Sequence, residues 1–269
     1  SDVYKRQDGK LIANDHREKA PGKATRDMYL DAQGEIVDGL STKSHLASGV
    51  PGTVAGLIDV LEAYGSMDLA EVIQPAIDLA KDGFILDEDL AGQFKRRLES
   101  FSNYPASLSV FSVDGEPYET GDRFSQPDLA ATLERIKLAG KRGFYAGETA
   151  DLIVAEMKNG GGIISIEDLK DYESKWRKPI VGNYRGYKLV SMPPPSSGGV
   201  LLVQMLNMLE PYDLGNLGVG SSEVIHLMIE AERRAYADRA EHLGDSDFYH
   251  VPIEMLISKD YARERFSDF

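Results

Sequence analysis

The 269-residue chain has no cysteine. Disulfides, thiolate nucleophiles and cysteine-ligated metals are therefore excluded. A chain without cysteine fits either redox compartment. No apolar run approaches the ~20 residues that a membrane-spanning helix needs. Ser1 to Lys10 is polar throughout and carries no signal-peptide pattern. Basic residues are in deficit: 30 Lys and Arg stand against 44 Asp and Glu, for a net charge of -14. Such a surface repels phosphate backbones and anionic lipid, so neither nucleic acid nor a membrane is an expected partner. The charge reads as solubility. The five histidines, His16, His45, His226, His242 and His250, form no His-x-x-x-His spacing, so no metal site and no cofactor are expected. Gly-x-Ser-x-Gly and Ser-x-x-Lys motifs are missing. Gly215–Gly220 is glycine-rich but lacks the following Lys-Ser/Thr of a phosphate loop and reads as a connection.

What is present is an ordinary globular composition, 42% hydrophobic and 28% charged. Helices dominate. Asp8-Gly9 predicts a hairpin turn leading into Leu11-Ile12-Ala13. Helical spacing predicts a helix over Val54–Tyr64 stopped by Gly65. A second helix starts at Asp68, with Glu71 completing a capping box and Leu69, Val72, Ile73, Ala76 and Ala80 as the buried stripe; Pro75 should kink it. A third begins near Asp87, with Leu90, Phe94 and Leu98 inward. Asp114-Gly115 predicts a turn between strands at 109–113 and 117–119. Further helices are expected from Pro127 to Leu138 and from Glu148 to Lys158, then a turn capped by Ser165 and Asp168. Strands 178–184 and 187–192 follow. Ser196-Ser197-Gly198-Gly199 opens a helix to Leu209, Ser221 caps the longest one, with Val224, Leu227, Met228, Ala231 and Ala235 inward, and a last helix begins at Ser258.

No clean linker divides the chain. The best composition break is Gly160–Gly162, giving segments 1–48 (a strand segment), 49–160 (mainly helical) and 161–269 (a strand pair plus helices).

Two segments are chemical candidates. Ser196-Ser197-Gly198-Gly199 lies where a strand gives way to a helix, so its backbone N–H groups could bind an anion; the competing explanation is a serine cap with glycines for close packing. Asp15-His16-Arg17-Glu18-Lys19-Ala20-Pro21 follows a short apolar strand. An arginine fork suits a carboxylate through two parallel hydrogen bonds, although Arg17 could equally pair with Asp15 or Glu18 on a solvated surface.

Five stretches in order resemble the γ-glutamyltranspeptidase (glutathione hydrolase) family. They are Arg17–Pro21 with Ala24–Tyr29; Gly49–Gly56 with Gln74–Ile77; Gln126–Leu133; Tyr184–Tyr187 running into Met192–Gly199; and Glu230–Arg239. Each alone is weak, and together they are specific. The resemblance implies a helix-rich α/β large-subunit portion, incomplete, of an α-β-β-α N-terminal-nucleophile hydrolase sandwich. It implies a precursor that cleaves itself, and a threonine at the new N-terminus of the small subunit that attacks a γ-glutamyl amide with its own α-amine as base. Glutathione and other γ-glutamyl compounds would be donors, and water or amino acids acceptors. Arg17 is the one residue carried over: in the matching Arg-Glu-x-Ala-Pro segment this arginine binds the α-carboxylate of the γ-glutamyl group. A periplasmic or extracellular location follows from the same resemblance.

The sequence departs from the family in its missing nucleophile. Threonine occurs at 25, 42, 53, 120, 132 and 149 and nowhere after. No catalytic residue is therefore expected in this chain, and by itself it should be inactive. Tyr4-Lys5-Arg6-Gln7 stands where the family has an apolar central strand, which leaves open whether Ser1–Gln7 is native. Two alternatives are a related acylase of the cephalosporin type and a non-catalytic module that binds amino acids or a protein partner.

Overall fold

The computed structural model describes residues 1–5 and 7–268, and the chain divides into two compact units. One comprises 1–17 and 174–269, the other 18–173. The composition break at Gly160–Gly162 falls inside the second. Arg6, part of the segment that departs from the family's apolar strand, lies outside the described residues.

The first unit begins with the expected hairpin, Asp2–Lys5 against Leu11–Asp15. A strand missed in the sequence, Lys175–Arg177, adds antiparallel to its other side, with Ala13 opposite Arg177 and Asp15 opposite Lys175. A second hairpin pairs Ile180–Tyr184 with Tyr187–Ser191. Its turn sets Arg185 and Gly186 at positive φ, which Gly186 adopts freely. The hairpin packs on the helix Gly198–Leu209 so closely that a Cβ at Gly182 would sit 2.7 Å from Val203. Ile180, Val200, Val203, Val251 and Leu256 form the core on that side. On the other, Met208, Leu209, Leu227, Ala231, Ala262 and Phe266 join Gly198–Leu209 to the helices Ser222–His242 and Lys259–Arg265. Both of the latter start at serine caps, Ser221 accepting from Val224 N–H and Ser258 from Tyr261 N–H.

Helix phase is where the sequence reading needs correction. In Ser222–His242, Met228 is 53% exposed, and the buried positions after Leu227 are Ala231, Arg234, Ala235 and Asp238. The inward face carries two charges, which an apolar pattern cannot find.

The second unit is built from helices around two apolar clusters. One gathers Val50, Ala55, Tyr145, Ala150, Val154, Ile164, Leu169 and Tyr172. The other is aromatic, with the Phe94 ring 5.1 Å from Phe124 and 5.4 Å from Phe111. The helices Thr53–Tyr64, Glu88–Ser102, Pro127–Ala139 and Glu148–Gly160 stand where expected. Asp87 caps the second of these by accepting from Leu90 N–H at 2.8 Å. Ser165 and Asp168 form a full capping box. The box expected at Asp68 does not form: Asp68 makes no side-chain cap bond. In the helix Leu69–Asp82, which runs through Pro75, the buried residues are Ile77 and Ala80, while Val72 faces out. The expected strand at 109–113 is mostly helix, Pro105–Phe111, because Pro105 occupies the first helical turn; only Ser112–Val113 and Glu116–Pro117 pair around the Asp114-Gly115 turn.

Among the described residues no helix is long and apolar enough to cross a membrane.

Candidate functional site

Arg17 lies just beyond the strand Leu11–Asp15, and the three residues before it are an uncommon set to bury: Asn14, Asp15 and His16. Buried polar groups are tolerated only when hydrogen-bonded. Asn14 Nδ2 donates to Ser174 Oγ at 2.9 Å, and His16 Nδ1 lies 2.8 Å from Asn14 Oδ1. Asp15 is 7% exposed and accepts from Arg177 Nε at 2.7 Å, Ser1 Oγ at 2.9 Å and the Arg17 backbone N–H at 3.2 Å. Burial opposes its charge, but these donors outweigh it, and the Asp15 carboxyl titrates below its ordinary value.

The chain of charges continues outward. Arg177 donates bidentately to Asp247, NH1 to Oδ1 at 3.0 Å and NH2 to Oδ2 at 2.9 Å, and Lys175 Nζ adds a bond at 2.7 Å. The Arg177 bonds, then that of Lys175, hold the Asp247 carboxyl far below the usual range. The backbone immediately before Arg17 is thus fixed by an Asp15–Arg177–Asp247 relay rather than left as a loose loop. His16 is also pushed down in pKa, by burial first and then by the N-terminal ammonium, with Asp2 and Asp15 opposing.

Arg17 itself is exposed and lines a cleft of about 480 Å³ with Ser196, Ser197, Arg239, Gly244 and Asp245. The two segments singled out in the sequence therefore meet in one place. Of the two glycines only Gly199 is required by packing: a Cβ there would lie 2.2 Å from the Met192 carbonyl oxygen, whereas one at Gly198 would meet only Ser196 Oγ at 3.8 Å. The serine is not a cap. The Ser197 side chain makes no cap bond to the helix it begins, and its Oγ accepts from Arg239 Nε at 3.1 Å. Arg239 lines the same cleft and was not singled out in the sequence as a site residue. It was visible only as the end of a motif on the long helix.

The rest of that motif is structural. Arg234, 6% exposed, donates to the Arg265 carbonyl at 2.8 Å and to Asp268 Oδ1 at 2.6 Å, and pairs with Glu230. The Arg233 and Arg234 bonds lower the Glu230 pKa to about 2. Asp238, 2% exposed, accepts from Gln204 and from Arg265 at 2.9 Å. Lys19, also from the Arg17 segment, is structural: its Nζ donates to the Glu173 carbonyl at 2.8 Å and sits 4.8 Å over the Tyr172 ring, while its backbone pairs with Val50. The Gly49–Gly56 stretch is held by Tyr145, whose hydroxyl donates to the Pro51 carbonyl at 2.9 Å and accepts from Ala55 N–H at 3.2 Å; burial pushes this phenol up to about 12. Among the described residues no group of three His, Asp or Glu side chains is placed to hold a metal ion.

The cleft of about 480 Å³ is thus lined by two arginines, Arg17 and Arg239, together with the carboxylate-bearing Asp245. Comparison with known proteins gives the family: the gamma-glutamyltranspeptidase model matches residues 2–269, and the chain belongs to that family. The glutathione hydrolase proenzyme of Escherichia coli (strain K12) is 48% identical over 262 residues, which cover 97% of this chain and 45% of that protein. The crystal structure of Helicobacter pylori gamma-glutamyltranspeptidase superposes with a TM-score of 0.97 at 49% identity, covering 99% of this chain and 77% of that one. The acylase ACY 1 proenzyme of Pseudomonas sp. (strain V22) is 39% identical over 264 residues, 96% of this chain and 47% of that protein. The chain spans about half the length of the curated relatives it matches.

Proposed function

We propose that this chain is the large-subunit portion of an N-terminal-nucleophile hydrolase that cleaves γ-glutamyl amides such as glutathione and passes the γ-glutamyl group to water or an amino acid. The observation that carries the reading is Arg17, which lines the cleft while its backbone N–H is bound to the buried Asp15. A guanidinium on a fixed backbone loses less freedom on binding a carboxylate, and its planar fork matches the two oxygens. Such a charge-assisted pair contributes about 1.5–3 kcal/mol net.

In this reading the hydroxyl nucleophile is a threonine of the small subunit, generated by self-cleavage. Its α-amine titrates near neutrality and takes the hydroxyl proton as the acyl-enzyme forms. Arg17 holds the far end of the glutamyl group and so fixes where the amide carbon sits. The three-stranded sheet Asp2–Lys5, Leu11–Asp15, Lys175–Arg177 would be the part of the α-β-β-α sandwich that this chain supplies. Export to the periplasm or beyond is proposed on family grounds, and cell fractionation tests it. The acylase relative supports a second reading, in which the same scaffold takes a different acyl group.

The test is Arg17→Ala in the full-length enzyme, with a γ-glutamyl anilide as donor. KM should rise by roughly ten- to a hundredfold, the loss of one charge-assisted pair. An unchanged KM removes Arg17 from the site. Faster cleavage of an acyl anilide without the glutamyl α-amino group than of the γ-glutamyl one would favour the acylase reading.

A further inference from the structure

We propose that Arg177 is a positioning residue for the γ-glutamyl group. It ties together two walls of the cleft, the chain at Arg17 and the turn at 244–247, and so sets the geometry in which Arg17 meets the α-carboxylate. The proposal rests on the reading of Arg17 above and deepens it: Arg177 acts through Arg17 and determines how well donors with that carboxylate are selected.

Arg177 ends the short strand Lys175–Arg177, and its side chain is 15% exposed. All three of its guanidinium nitrogens are used. Nε donates to Asp15 Oδ2 at 2.7 Å, NH2 to Asp247 Oδ2 at 2.9 Å, and NH1 to Asp247 Oδ1 at 3.0 Å and Ser246 Oγ at 3.4 Å. A planar fork held at every corner has one orientation, which a lysine ammonium could not reproduce. On one side, Asp15 passes the constraint on. Its Oδ2 takes Arg177, and its Oδ1 takes the backbone N–H of Arg17 at 3.2 Å. One carboxylate therefore separates Arg177 from the main chain of Arg17. On the other side, Asp247 belongs to a tight turn. Its N–H donates to Asp245 Oδ1 at 2.9 Å, and the Phe248 and Tyr249 N–H groups donate to the Asp245 carbonyl at 3.0 and 2.9 Å. Gly244 and Asp245, at the start of that turn, line the cleft with Arg17. Asp245 brings its own negative charge to the cleft, so the spacing of the two walls decides how strongly a substrate carboxylate is drawn to Arg17. Small displacements of such a group are costly when a reacting amide must be held in place.

The experiment uses the full-length enzyme with two donors, a γ-glutamyl anilide and the 4-aminobutyryl anilide, which lacks the α-carboxylate. Arg177→Lys keeps the charge and loses the fork. It should raise KM for the γ-glutamyl donor about tenfold with kcat changed less than about twofold, and change kcat/KM for the 4-aminobutyryl donor less than about twofold. In an Arg17→Ala background the same substitution should change either donor by less than about twofold, because its effect runs through Arg17. Asp247→Asn, at a partner whose side chain is 24% exposed, should give a weaker form of the same selective loss, and it decides the matter if Arg177→Lys yields no folded enzyme. An equal loss for both donors, a loss undiminished in the Arg17→Ala background, or no loss in either variant overturns the proposal and leaves Arg177 a residue of the fold alone. Failure of the underlying reading looks different: Arg17→Ala by itself would then leave the preference for the γ-glutamyl donor intact.

Discussion

The two units bury different things. The unit formed by 18–173 hides mostly apolar side chains, with buried hydroxyl-bearing residues such as Ser112, Tyr145 and Thr149 but no buried charged side chain among its described residues. The unit formed by 1–17 and 174–269 hides Asn14, Asp15, His16, Gln204, Asn207, Arg234 and Asp238. Apolar burial is non-directional and tolerates repacking. Buried charge is directional: it costs free energy unless every partner is in place, and it then admits one arrangement. The cleft is built on the second kind of core. Asp15, Arg177 and Asp247 brace one wall, and Gln204, Asp238 and Arg265 lie along the helix that carries Arg239 on its other face. The comparison teaches that this fold spends directional interactions where a side chain must be aimed and uses apolar packing elsewhere.

Near-isosteric substitutions would break that distinction most directly. Asp238→Asn removes the charge from a 2%-exposed site and leaves Arg265 without its carboxylate. The expected cost is about 3–5 kcal/mol in a denaturation series on the full-length protein. Leu169→Met at a fully buried position of the other unit should cost less than about 1.5 kcal/mol. Equal costs would erase the contrast.

Tyr145→Phe tests the polar exception in the apolar unit. It deletes the hydroxyl that bridges Pro51 and Ala55, and leaves a buried N–H and carbonyl unpaired. About 1–3 kcal/mol of stability should be lost, with KM for γ-glutamyl donors unchanged. A changed KM would connect this motif to the cleft.

The smallest effect is a pH dependence. Asp15 and Asp247 both titrate below their ordinary values in the fold. A depressed carboxyl contributes stability that is present above its unfolded pKa, near 4, and lost as pH falls through the folded value. The urea midpoint should therefore fall on acidification below about pH 4, and fall less steeply in Asp247→Asn. Identical slopes would show that the relay does not feel the proton.

Much of this was legible in the sequence where a local signal exists. Asp87, Ser165, Ser221 and Ser258 start helices because their side chains can take an orphan N–H, and Gly140 and Gly161 end them. What depends on distant chain was not. The strand Lys175–Arg177 is three residues long with no alternation to read, and Arg177 finds Asp15 across 162 positions. Helix phase failed where apolar residues occupy both faces, as at Val72 and Met228. At the site, the resemblance pointed to Arg17. Arg239 stayed hidden because its partner Ser197 lies 42 residues away.

The central claim is that Arg17 recognises the glutamyl α-carboxylate. A cycle of two enzymes and two donors tests it: wild type and Arg17→Ala, each with a γ-glutamyl anilide and with the 4-aminobutyryl anilide that lacks only that carboxylate. Wild type should prefer the γ-glutamyl donor in kcat/KM by about tenfold or more, and Arg17→Ala should treat the two nearly alike. A preference that survives Arg17→Ala undiminished would contradict the account.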